Sequence, residues 1–234
     1  MRSLLRSLRA SFVISASLCL GFVSSAQALS LADLLAPGKS IVSGDLQFDQ
    51  FAYSNTGDMA KAQDIMLDMF VDGDGNAGIL ITGDFMDTSD SMGPSAAAIS
   101  YSVSILDSLS PDLVIESVNI RAKFVLTDLG YANLNANVLN KSLELIQLFS
   151  HNFGAGGSSM DSGMKLLTSP SRQINVVMEN VDAFASISPG GPGASPAVAS
   201  ITTIEQTFTV VPEPETALLV GFGLAGLALA GKQN

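Results

Sequence analysis

Asp72-Gly73-Asp74-Gly75-Asn76 places three oxygen-bearing side chains at alternate positions, the spacing with which a calcium loop offers ligands to a hard cation. The continuation departs from that pattern. Ala77 stands where a sharp-turn glycine belongs, and Gly83 where a bidentate glutamate belongs. The same five residues suit a hairpin turn, because Gly and Asn tolerate the positive φ that tight loops demand. The turn is the preferred reading, with Asp72, Asp74 and Asn76 as the calcium candidates. Asp84, Asp87 and Asp90 form a second acidic group that could assist an ion.

Other residue types invite enzymatic readings. His151 is the sole histidine, and a Ser-His-Asp hydrolase would need it beside a nucleophile elbow, yet no Gly-x-Ser-x-Gly occurs. Glu144, Glu179 and Glu205 could supply the two carboxylates of a glycosidase. The chain has no tryptophan and three tyrosines, a poor stock of sugar-stacking rings. No catalytic residue is therefore expected, and a hydrolase of matrix polysaccharide is the second alternative.

The ends carry a different kind of chemistry. Arg2, Arg6 and Arg9, the apolar stretch from Phe12 to Val23, and Ala26-Gln27-Ala28 read as a signal peptide cleaved before Leu29. The single cysteine, Cys19, lies in this leader behind Leu18, which does not suit lipidation. The mature chain then has no thiol, excluding disulfides, zinc–thiolate sites and a cysteine nucleophile. With three arginines in the leader, the 11 Lys and Arg become eight against 22 Asp and Glu, a net charge of −14. So acidic a surface repels phosphate backbones, and nucleic acid is not an expected partner. At the other end, Val211-Pro212-Glu213-Pro214-Glu215 leads into the uncharged apolar run Thr216 to Ala230. As a helix that run would rise about 22 Å, less than the ~30 Å hydrocarbon layer. The two prolines hold the step before it extended, a form that a protease can take into a cleft.

Between the tags the dominant pattern is two-residue alternation, broken by Gly, Asn, Asp, Ser and Pro. In Ile99-Ser100-Tyr101-Ser102-Val103-Ser104-Ile105 the large side chains face one way and the serines the other, as a half-buried antiparallel strand requires. Ile65–Val71 and Ala77–Ile81 flank the Asp72–Asn76 turn as a hairpin. Further strands are expected at Leu46–Tyr53, Leu113–Ile120, Lys123–Thr127, Gln173–Glu179 and Ile201–Val210. Asn137 to Phe149 fits a strand or a helical stripe of Val138, Leu139, Leu143, Ile146 and Phe149. Gly154 to Gly163 and Ser188 to Pro196 read as loops. The expectation is an all-β antiparallel sandwich, jelly-roll-like or Ig-like, over residues 29–210. A signal helix lies in 1–28, and a tail spans 211–234 with a transmembrane-type helix at 216–230.

Val211-Pro212-Glu213-Pro214, followed by Leu218-Leu219-Val220-Gly221-Phe222-Gly223-Leu224-Ala225-Gly226-Leu227-Ala228, closely resembles the PEP-CTERM sorting signal. The resemblance covers the tail, and the arginine cluster that usually closes it is reduced to Lys232. It implies an exported protein, held in the membrane and then processed by an exosortase-type protease, in bacteria that make extracellular polysaccharide. The passenger resembles a recurrent class of such cargo at Leu31–Gly38, Phe51-Ala52-Tyr53-Ser54, Gly75–Ile79, Ile99–Asp107 and Ile204–Phe208. That class implies a β-rich exported domain; Arg121 to Leu167 departs from it. The expected function is a structural or adhesive envelope or matrix protein, with a calcium- or polysaccharide-binding module as the alternative.

Overall fold

Alternation decides the architecture. In strand β6 (Ser95–Ile105), Ala97, Ile99, Tyr101, Val103 and Ile105 point inward and are buried, while Ala96, Ala98, Ser100 and Ser104 are only partly covered. A strand built this way has one face to hide, and a second sheet must hide it. In the computed structural model the described residues are 28–89, 94–106, 108, 112–127, 129–139, 143–153, 157–185 and 197–213. The expected signal peptide, the Ser188 to Pro196 loop and the apolar tail lie outside them. No helix among the described residues is long and apolar enough to cross a membrane.

The elements before β6 are β1 (Leu29–Ser30), a one-turn helix α1 (Leu31–Leu34), β2 (Ser40–Ser43), β3 (Leu46–Thr56), β4 (Met66–Val71) and β5 (Ala77–Thr88). After it come β7 (Leu113–Thr127), β8 (Leu129–Leu139), β9 (Leu143–Phe153), β10 (Gly157–Ser171), β11 (Gln173–Ala185) and β12 (Val198–Pro212). The first sheet has the order β1-β4-β5-β12-β7-β10 and the second β2-β3-β6-β11-β8-β9, with every pairing antiparallel. From β5 onward the chain hops from sheet to sheet at almost every connection. The inner orders β5-β12-β7-β10 and β6-β11-β8-β9 are those of a jelly roll, which settles the choice against an Ig-like sandwich.

Several sequence expectations are corrected. Leu113–Ile120 and Lys123–Thr127 are one strand, since Arg121 and Ala122 continue the pairing with β12. Asn137 to Phe149 holds no helix: Leu139 faces Leu143 across the β8–β9 hairpin, and a sheet edge captured what isolated periodicity left open. The Gly154 to Gly163 stretch is strand from Gly157 onward, because Gly157 to Leu166 pair in register with β7. The segment from Arg121 to Leu167, which departs from the cargo class, thus joins the regular sandwich. The last strand also passes the expected limit at Val210 and takes in Val211 and Pro212.

Phe48, Phe85, Phe124 and Phe208 are fully buried between the sheets, and such burial stabilises by about 1.5–3 kcal/mol per side chain. Two polar ties cross the same space. Tyr101 on β6 donates its hydroxyl to Gln206 Oε1 on β12, and burial holds the phenol well above its usual pKa, so it stays a donor. At one end the buried Asp87 of β5 accepts from Ser95 Oγ at 2.6 Å and from the Ala185 amide at 2.8 Å, joining the first sheet to β6 and β11. Gly78 marks the tightest backbone approach: a Cβ there would lie 1.9 Å from the Gln206 carbonyl oxygen and 2.8 Å from Thr207 Cα. Both are backbone of a central strand and cannot turn aside. Gly78→Ala is therefore expected to cost about 3 kcal/mol or more, read as a fall in the urea midpoint with unchanged slope.

Candidate functional site

The sorting residues sit on the fold itself. Val211 pairs with Val114 and Pro212 with Leu113 at the end of β12, and the Glu213 amide donates to the Asp112 carbonyl at 2.6 Å. The β5 side of β12 has already ended at Phe208 opposite Ala77, so only β7 holds these residues. Proline is tolerated there because it closes a strand on an edge that asks for no N–H. Of the residues at the expected leader cut, Ala28 and Leu29 are described, and Leu29 opens β1 against Leu67 of β4. Ala26 and Pro214 lie outside the described residues.

The Asp72–Asn76 stretch forms the expected hairpin turn between β4 and β5, with Gly75 at φ +87°. Asp72 accepts at Oδ1 from the Asp74 and Asn76 amides at 3.0 and 2.9 Å. At Oδ2 it accepts from Asn76 Nδ2 at 2.9 Å and from Thr207 Oγ1 at 3.1 Å. Asn76 thus turns its NH2 group, not its carbonyl oxygen, toward Asp72, and the pair is a donor and an acceptor rather than two ligands. Burial pushes the Asp72 carboxyl up, but the donors from Asn76, Asp74 and Thr207 outweigh it and hold the pKa below the usual 3.8. Asp74 is exposed.

The other candidates do not converge. Asp84 is exposed, Asp87 is buried on the opposite face of β5, and Asp90 lies outside the described residues. Glu205 stands beside Arg121, whose Nη1 lies 3.2 Å from Glu205 Oε2 without a well-aimed N–H, so the contact is Coulombic. The backbone places Glu144 at the start of β9 opposite Val138, Glu179 on β11 opposite Asn135, and His151 on β9 opposite Tyr131. Among the described residues no group of three His, Cys, Asp or Glu could hold a metal ion.

The concavity that sequence reasoning missed lies on the outer face of the second sheet. In register across four strands run Thr56, Ala96, Asp182 and Asn133. Ala96 and Ala98 form a low floor, with Ser54 and Thr56 of β3 on one side and Asp182 of β11 on the other, around a groove of about 330 Å³. A β-bulge between Met178 and Val181 of β11 shifts the register beside this floor, which bends a strand and re-aims its side chains. Two residue pairs along, Tyr131 and Phe184 stack with ring centroids 5.6 Å apart at 34°. Beyond the floor, the face continues in short polar groups; Ser102 Oγ donates to Asn175 Oδ1 at 2.7 Å.

Asp182 is the unusual member. Burial lifts its carboxyl above the usual 3.8, and no hydrogen bond or ion pair to it occurs among the described residues. The Oδ1 atoms of Asn133 and Asn135 are likewise covered yet without partners. The signal was present in sequence as the Ala96/Ala98 and Asn133/Asn135/Asn137 alternations. What sequence lacked was the pairing that brings them side by side.

The sequence pattern of the PEP-CTERM protein-sorting motif matches residues 210–233. The chain thus carries that signal, which marks an exported protein anchored at the membrane before exosortase cleavage and then surface-exposed or secreted. No curated protein matches the chain. Among solved structures it is similar to TmCBM61 in complex with beta-1,4-galactotriose, at 10% identity and a TM-score of 0.31, covering 69% of this chain and 88% of that one. It is also similar to the enzymatically active domain of bacteriophage CBA120 tailspike protein 4, at 10% identity and a TM-score of 0.26, covering 68% of this chain and 19% of that one. Likenesses this distant say nothing about ligand or activity.

The two aspartates predict opposite pH behaviour. Asp72 has a lowered pKa, so its contribution is present above 3.8 and is lost as pH falls through the folded value. Asp72→Ala is expected to cost about 1–2 kcal/mol at neutral pH, with the difference from the parent closing in acid. Asp182 has a raised pKa, so the associated stability is full below 3.8 and lost as pH rises through the folded value. Asp182→Asn should therefore raise Tm at neutral pH, and the gain should vanish in acid. Thermal unfolding from neutral pH down to below the usual carboxylate pKa reads both; a lower Tm for Asp182→Asn at neutral pH would contradict this account.

Proposed function

We propose that the passenger has an adhesive role at the cell envelope or in the extracellular matrix, exercised by binding polysaccharide along the outer face of the second sheet. The observation that carries this reading is the Thr56–Ala96–Asp182–Asn133 row: a small-residue floor between hydroxyl, carboxylate and amide groups. A sugar ring presents hydroxyls that both donate and accept, and the partly desolvated Asp182 carboxylate in the groove offers a strong acceptor for them. The C–H faces of the sugar suit the Tyr131–Phe184 pair at the end of the groove.

An open groove on a flat sheet accepts a polymer passing through, where an enclosed pocket would accept only an end. The carboxylate is left unpaired at a cost in stability, as groups retained for binding often are. We take the module to bind rather than to cleave, with the Asp182 carboxylate as an acceptor for sugar hydroxyls. The reading requires no bound ion.

Affinity electrophoresis of the passenger through gels cast with neutral polysaccharides (a galactan, a β-glucan, a mannan) tests this. Retardation is expected in at least one, and Asp182→Ala with Asn133→Ala should weaken it by about 10-fold or more, the worth of losing hydrogen bonds to a charged acceptor. Asp161→Ala, on the exposed strand β10 of the other sheet, should leave retardation unchanged. Unretarded migration in every gel, or equal loss with Asp161→Ala, would overturn the proposal.

A further inference from the structure

The first residues of the sorting motif, Val211 and Pro212, are sheet. We infer that the fold withholds the peptide bonds up to Pro212–Glu213 from the processing protease, so that the cut falls on the C-terminal side of Glu213. This rests on the reading that the tail is processed, and it adds where processing can occur.

A protease takes its substrate as an extended strand whose backbone edges and side chains are free to enter subsites. Val211 and Pro212 already give one edge to Val114 and Leu113, and the Glu213 amide is tied to the Asp112 carbonyl at 2.6 Å. Peeling this end away would uncover Val114, which is 4% exposed. Only Glu213, Pro214 and Glu215 separate the strand from the apolar run that starts at Thr216, a reach of about 10 Å when fully extended. The folded edge therefore lies close to the membrane while the tail is anchored, and the bonds beyond it are the ones left to a protease there. In the cut itself the peptide C–N bond breaks. Water gives its hydroxyl to the carbonyl carbon, leaving the passenger a new carboxyl terminus, and a proton to the departing amine of the tail. The strand end stays in place throughout.

The test uses the full chain expressed with its processing protease, the mature protein being read by intact mass and C-terminal peptide mapping. Every processed chain should end at Glu213 or later. Termini at Val210, Val211 or Pro212 would overturn the inference while leaving processing intact. A population ending only at Asn234 would overturn the processing reading and this inference with it.

A second variant probes the same point. Val114→Cys with Val211→Cys sets two thiols at directly paired positions, within the Cα separation that a disulfide spans, in a mature chain that otherwise lacks cysteine. With the bridge formed and the thermal transition retained, processing should proceed without loss. Processing lost in the bridged chain and kept in each single variant would show that the strand must peel away, and would overturn the inference.

Discussion

Strand β12 is held on both edges, by β5 over Val198–Phe208 and by β7 from Val198 to Pro212, and the rest of the molecule is arranged about that double pairing. It is the last strand among the described residues and a central one in its sheet. The sandwich therefore cannot close until nearly the whole passenger has been made, and long-range pairing of this kind folds slowly. Ile201, Ile204 and Phe208 supply the inward face, and Gln206 reaches through the core to Tyr101. With the single cysteine at Cys19, ahead of the first strand, this burial and these few buried polar links hold the two sheets. The strand then runs directly into the sorting signal, so the element that completes the fold also delivers the chain to the membrane.

The two sheets divide the remaining work. On the outward side of the first sheet Asp72 takes four donors, and Glu205 lies in Coulombic contact with Arg121. Around the groove of the second, Asp182, Asn133 and Asn135 carry acceptors with no partner among the described residues. Polar groups that are covered but unpaired lower stability, and here they gather on the strands beside the alanine floor. The jelly roll supplies the flat platform, and the bulge in β11 breaks its regularity beside the groove.

Much of this was legible in the residues. The Ile99–Ile105 alternation identified a strand with one buried face, and Asp72–Asn76 identified a turn whose glycine needs positive φ. Where the reading failed, one partner was out of view. Gly157–Gly163 looks like a loop because its side chains are small, yet β7 alongside imposes an extended backbone whatever the local preference. Asn137 to Phe149 satisfies the helical and the strand period together, and the paired hairpin decided between them. Ser100, Ser102 and Ser104 of β6 do face outward as the alternation implies, but nothing local shows that Ser102 is covered by neighbours such as Asn175.

The sequence by itself determined the sorting motif, the all-β class and the acidity, because each of these is a property of residues counted or read along one line. The strand order, the choice of jelly roll, the groove over Ala96 and Ala98, and the capture of Val211 and Pro212 by β7 were decided only in three dimensions. Each depends on which segments lie edge to edge, and in antiparallel sheets with long crossovers that pairing joins residues as far apart as Leu113 and Pro212, which no local pattern encodes.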